Sequence, residues 1–101
     1  MYSIDFETRS FVDLKARGLD IYANDPTTEV ICIAFGTTKE TVQVAKPHSA
    51  DLNHLLSHVE AGGKIAGWNA IFEYAIWNCV CVPKYGWPEL KLEQIVDTMA
   101  I

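Results

Sequence analysis

The stretch Glu29-Val-Ile-Cys-Ile-Ala-Phe35, closed by Gly36, does most to limit what this chain can fold into. Its β-branched and aromatic side chains suit a pleated strand inside a sheet, so it reads as a central strand. Such a strand needs neighbours, and the alternation of apolar and polar residues supplies them. Tyr2-Ser-Ile-Asp-Phe-Glu7 alternates at the start of the chain. Thr41-Val-Gln-Val-Ala45 alternates after a turn at 37–40 and predicts an antiparallel hairpin with the 29–35 strand. Lys64-Ile-Ala-Gly-Trp68 and Gln94-Ile-Val-Asp97 read as two further short strands.

Helical signals fall between them. Residues 8–28 are mixed and polar, with Gly18, Asn24, Asp25 and Pro26, and predict a long connection holding one helical turn around 19–23. Ser49 or Asp51 can cap a helix reaching Glu60, with Leu52, Leu55, Leu56 and Val59 on one face and Gly62-Gly63 at its end. Asn69 can cap a helix over 70–81, with Ile71, Tyr74, Ala75, Asn78 and Cys79 at helical spacing, before a Gly/Pro/aromatic loop at 83–88. The order strand, strand, strand, helix, strand, helix, strand predicts one α/β domain with a mixed sheet flanked by helices.

Composition narrows the function classes. The chain has 101 residues, fitting a single domain, and a net charge of −5. That charge speaks against gripping nucleic acid by bulk positive potential, but does not exclude an enzyme that meets phosphates through cations held by carboxylates, and is neutral for a nuclease. The three cysteines, Cys32, Cys79 and Cys81, are odd in number and lack a framework spacing, which predicts a reducing setting. Cys79-Val-Cys81 has no second Cys or His pair nearby and is expected to be buried thiol. Neither a signal peptide nor a run long enough to span a membrane is present in the sequence.

Two acidic motifs carry the chemistry. Asp5 and Glu7 are two apart on a strand and project to the same side. They are either a pair of solvated acids at a strand end or oxygen ligands for Mg²⁺ or Mn²⁺, since a divalent cation relieves their repulsion. The second motif is Gly67-Trp-Asn-Ala-Ile-Phe-Glu73, at a strand-to-helix turn. Asn69 and Glu73 are four apart and share a helix face: either a cap and a dipole-favoured acid, or two groups facing a ligand. If the first strand and the Ile65 strand are neighbours, Asp5, Glu7 and Glu73 can converge beyond the strand ends, where α/β sheets place sites.

Ser3-Ile-Asp-Phe-Glu-Thr8 resembles the first motif of the DEDD exonuclease superfamily, which includes the proofreading domains of family A DNA polymerases. Asn69-Ala-Ile-Phe-Glu73 resembles the second, with Glu where most members carry Asp. Asp5-Phe-Glu-Thr-Arg-Ser-Phe-Val-Asp-Leu-Lys15, Tyr22-Ala-Asn-Asp-Pro26 and Thr28-Glu-Val30 are similar to the N-terminal region of phage-type polymerases, so the likeness covers essentially the whole chain. It implies a ribonuclease-H-like fold and two-metal hydrolysis of 3′-terminal phosphodiesters of DNA, which is proofreading. Asp5 would bind or bridge two Mg²⁺ or Mn²⁺ ions about 4 Å apart, Glu7 would bind the one that activates water, and Glu73 would help hold the second. The implied partners are a single-stranded DNA 3′ end and a downstream polymerase domain; the implied location is the cytoplasm, that of the host cell if the chain is phage-encoded.

Neighbouring residues keep two readings each. Thr8 can offer its backbone N–H to the terminal nucleotide. Asn69 either contacts DNA or caps its helix, and Phe72 either wedges against a base or packs in the core. Arg9 either meets a phosphate or does nothing specific. Trp68, Trp77 and Trp87 are expected in core or loop packing. The family's third motif, with a fourth carboxylate and a Tyr or His base, has no counterpart here. Asp97 is expected to cap a helix or anchor a loop, and His48, His54 and His58 suit a surface helix better than a base. Met99-Ala-Ile101 resembles a helix start. The expectation is therefore the N-terminal part of an exonuclease domain, weak or inactive by itself. The alternatives are a free-standing DNA or RNA exonuclease of the same superfamily and a non-catalytic nucleic-acid-binding module.

Overall fold

The computed structural model describes residues 1–97; the helix start expected at 99–101 lies outside them. Five strands form one mixed sheet in the order β3-β2-β1-β4-β5. They are β1 (Tyr2–Arg9), β2 (Glu29–Gly36), β3 (Gln43–Ala45), β4 (Ile65–Gly67) and β5 (Ile95–Asp97). β1 is the middle strand, antiparallel to β2 and parallel to β4. The α/β class, the mixed sheet and the neighbouring of the first and Ile65 strands all agree with the sequence reading.

The helices are α1 (Leu14–Arg17), α2 (Leu19–Asn24), α3 (Asn53–Glu60), α4 (Ala70–Ile76) and α5 (Val82–Tyr85). Residues 8–28 therefore hold two short helices instead of one turn. Asp13 caps α1 by accepting from the N–H groups of Lys15 and Ala16. Gly18 then divides α1 from α2 at φ 87°, a region that side-chain-bearing residues avoid. Ser49 caps a 3₁₀ turn (Ala50–Leu52) leading into α3, whose Leu55 and Val59 are buried as expected.

The helical packing lies on one face of the sheet. Ile4, Phe6, Ile33 and Phe35 point into a core shared with Leu52, Leu55, Val59, Ile76, Trp77 and Val80. On the other face, Ser3, Asp5, Glu7 and Val44 are exposed among the described residues. β2 is an interior strand, yet Ile31 is 47% exposed. The cause is a bulge: Glu7 pairs with Cys32 but Thr8 with Val30, leaving Ile31 as the extra residue. A one-residue slip swaps faces, so Val30 turns inward and Ile31 outward.

The 70–81 helix differs from expectation in phase and in length. Its buried stripe is Ala70, Glu73, Ile76, Trp77 and Val80, whereas Ile71 is 76% exposed. A stripe that contains a carboxylate does not register as apolar, which is why spacing pointed to the neighbouring face. After Ile76 the backbone widens into a π turn (Trp77–Cys81) and continues as α5 through Pro83 to Tyr85. Proline has no N–H for the regular ladder, and the wider turn before it avoids demanding one. Gly86, at φ 72°, ends the helix.

Trp77 and Trp87 anchor this packing, with ring centroids 4.7 Å apart and Phe6 within 6.4 Å of Trp77 and 6.0 Å of Trp87. Both indole N–H groups are satisfied: Trp77 donates to the Pro88 carbonyl and Trp87 to that of Pro47. No helix among the described residues is long and apolar enough to cross a membrane.

Candidate functional site

Asp5 and Glu73 meet where β4 gives way to α4. The parallel ladder between β1 and β4 ends at the pair Ile4 and Gly67. Just past that rung, the Phe6 N–H donates to Oε2 of Glu73 at 3.2 Å, so a side-chain carboxylate takes the place of a strand carbonyl. Glu73 reaches this point because it lies one turn into α4, whose start is fixed by Asn69 accepting from the Phe72 N–H at 3.4 Å.

Gly67 makes the approach possible. A Cβ at this position would stand 2.8 Å from Cγ of Glu73 and 3.2 Å from its Cβ. Gly67→Ala is therefore expected to lower stability by about 1–3 kcal/mol and to displace the Glu73 carboxyl. Urea unfolding combined with carbon NMR of the Glu73 carboxyl checks this; unchanged stability and an unchanged Glu73 titration would contradict it.

Glu73 is 1% exposed. Burial, and after it the charge of Asp5, pushes its pKa up to about 8; the Phe6 N–H opposes the rise and a hydrogen bond with Asp5 adds to it. Near neutral pH Glu73 is thus a protonated acid beside the Asp5 carboxylate. Carboxyl groups poised in this way are common where chemistry is done, although structural networks make them too.

The remaining candidate residues are placed as follows. Glu7 is exposed on the same side of β1 as Asp5. Among the described residues, however, no three His, Cys, Asp or Glu side chains are grouped closely enough to hold a metal ion. The expected convergence of three acids is therefore present as the Asp5–Glu73 pair, with Glu7 further along the strand. Thr8 is half-buried and its hydroxyl lies 2.7 Å from that of Tyr22. Phe72 is half-buried, packs against the core and faces Tyr22 with ring centroids 6.5 Å apart. Asn69 is exposed and serves as the α4 cap. Arg9 pairs with Glu29. Asp97 is the last residue of β5, level with Gly67 on β4.

Sequence reasoning missed two residues here. Gly67 is needed for space, which its place at a strand end before a capping Asn only hints at. Trp68 was expected in packing but is 67% exposed. The cysteines Cys32, Cys79 and Cys81 are unpaired, and burial raises the Cys81 thiol well above its ordinary range.

Carboxyl oxygens are the ligand type that hard divalent cations take. Mg²⁺ is commonly held by only one or two carboxylates, with water and substrate phosphate completing its shell. Asp5 and Glu73 are two carboxyl groups side by side. Compared with family models, curated proteins and solved structures, the chain matches none of them.

Proposed function

We propose that this chain carries the N-terminal part of a two-metal-dependent 3′→5′ exonuclease domain of a DNA polymerase, acting on DNA 3′ ends. The observation that carries this reading is the apposition of Asp5, from the middle strand, with a buried Glu73 carboxyl. The sequence motifs Asp5-Phe-Glu7 and Asn69-Ala-Ile-Phe-Glu73 support it, as does a mixed sheet with the first and Ile65 strands side by side. The architecture is in this reading ribonuclease-H-like.

Asp5 and Glu73 would hold Mg²⁺ or Mn²⁺, with Glu7 joining from the same side of β1. Cations there would supply an activated water and stabilise the leaving oxygen of the scissile phosphate. Thr8, beside the bulge, would present its backbone N–H to the terminal nucleotide. Asn69, the cap of α4, and Phe72, on its first turn, would contact the strand. The partners are a single-stranded DNA 3′ end and a polymerase domain, and the setting is the cytoplasm.

A second reading is favoured by one observation. Glu73 already accepts from the Phe6 N–H, so the carboxyl pair can be a purely structural joint in a non-catalytic module. An oligonucleotide labelled at its 5′ end separates the two. In Mn²⁺ the nuclease reading expects slow shortening from the 3′ end that stops in both Asp5→Asn and Glu73→Gln. Shortening that survives Asp5→Asn would overturn it.

A further inference from the structure

Tyr22, on α2, touches two of the residues that the exonuclease reading sets against the DNA strand. Its hydroxyl lies 2.7 Å from that of Thr8, and its ring faces that of Phe72 with centroids 6.5 Å apart. We propose that Tyr22 is a positioning residue, which aims the Thr8 backbone N–H and the Phe72 ring at a DNA 3′ end without touching DNA itself. The inference rests on the exonuclease reading and deepens it by naming what holds the strand-facing residues in place.

Three observations support this role over plain packing. The first is the direction of the Thr8 N–H. N–H groups two residues apart on a strand point to the same edge, and the Phe6 N–H points past the end of β4 to Glu73. Val30, opposite Thr8, gives its N–H to the Tyr85 hydroxyl, so this pair turns its N–H groups outward and the Thr8 N–H faces the Glu73 side. The second is the bulge at Ile31, which disrupts the ladder beside Thr8 and leaves strand pairing a weak hold on it. The third is that Tyr22 is itself fixed. It is 7% exposed, and the fully buried Thr28 hydroxyl donates to its carbonyl at 2.6 Å. A phenylalanine would fill the same space; the hydroxyl adds the bond to Thr8.

Tyr22→Phe keeps the ring and removes the hydroxyl; Thr8→Val removes the other end of the bond and keeps the Thr8 N–H. Binding to the full chain in Mn²⁺ is measured with a linear oligodeoxythymidylate and with a circular one of equal length, which has no 3′ end. Wild type is expected to prefer the linear strand. Each substitution is expected to weaken linear binding about 2- to 10-fold, the worth of one hydrogen bond, and the double variant to lose no more than either alone. Circular binding is expected to stay unchanged in all three variants, whereas a merely structural role would move both strands alike. Linear binding by Tyr22→Phe equal to wild type, an equal loss on both strands, or losses that multiply in the double variant overturns the proposal. If a linear preference that Asp5→Asn abolishes survives those results, the exonuclease reading stands alone. If wild type shows no Mn²⁺-dependent preference for the linear strand, both fall.

Discussion

Glu73→Gln is expected to make the metal-free protein more stable than wild type above pH 8, while leaving stability near pH 4.5 almost unchanged. The Glu73 carboxyl is raised from 4.5 to about 8 in the folded protein. At pH below 4.5 it is protonated both folded and unfolded and costs nothing. Between 4.5 and about 8 the unfolded chain releases the proton and the folded chain retains it, so stability falls as pH rises. Above 8 the full cost is present, up to about 5 kcal/mol at 1.4 kcal/mol per pH unit. Glutamine keeps an oxygen to accept from the Phe6 N–H but cannot ionise, so this contribution to the slope disappears. Urea unfolding of both proteins at pH 5 and pH 9 gives the answer by difference, which cancels the other titrating groups. Parallel pH profiles would show that Glu73 is not a buried, raised acid.

Trp77→Ala is expected to remove about 3–5 kcal/mol, a large part of the 5–15 kcal/mol that stabilises a typical domain. Trp77 is fully buried, packs edge-on against Trp87 and satisfies the Pro88 carbonyl. The substitution opens a cavity and leaves that carbonyl without its donor. Phe6 also leans on Trp77, and the Phe6 N–H holds Glu73, so the loss reaches the candidate site. Denaturant unfolding measures it; a loss below 1 kcal/mol would mean that the aromatic cluster is not the anchor of the core.

The strands were legible because their periodicity is simple. Alternation located β1 and β3, a β-branched apolar run located β2, and short apolar segments located β4 and β5. The buried face of α4 was not legible, since it includes Glu73 and a spacing rule excludes carboxylates from a core. Burial of that residue depends on the Phe6 N–H and on the space at Gly67, contacts that exist only after β1 and β4 are side by side. The same holds for the bulge at Ile31, which local pattern gives no reason to expect. Pro83 suggested a loop because proline breaks a regular helix, and the π turn that accommodates it is a tertiary outcome. Within the site, the residue types at Asp5, Glu7, Asn69 and Glu73 were visible in sequence. Their grouping was visible only in part: Asp5 and Glu73 meet, whereas Glu7 stands further along the strand. Trp68 illustrates the reverse limit, because the same residue type packs inward at 77 and 87 and faces outward at 68.

In the proposed nuclease, Asp5 and Glu73 would share a divalent-cation site in which the ion displaces the Glu73 proton. Calorimetric titration of Mn²⁺ into the protein at pH 7, in two buffers of different ionisation enthalpy, counts the protons released on binding. Saturable binding is predicted, with nearly one proton released per site. Asp5→Asn should abolish the binding, and Glu73→Gln should abolish the proton release. Absence of saturable binding, or an unchanged proton count in the Glu73→Gln variant, would contradict the account.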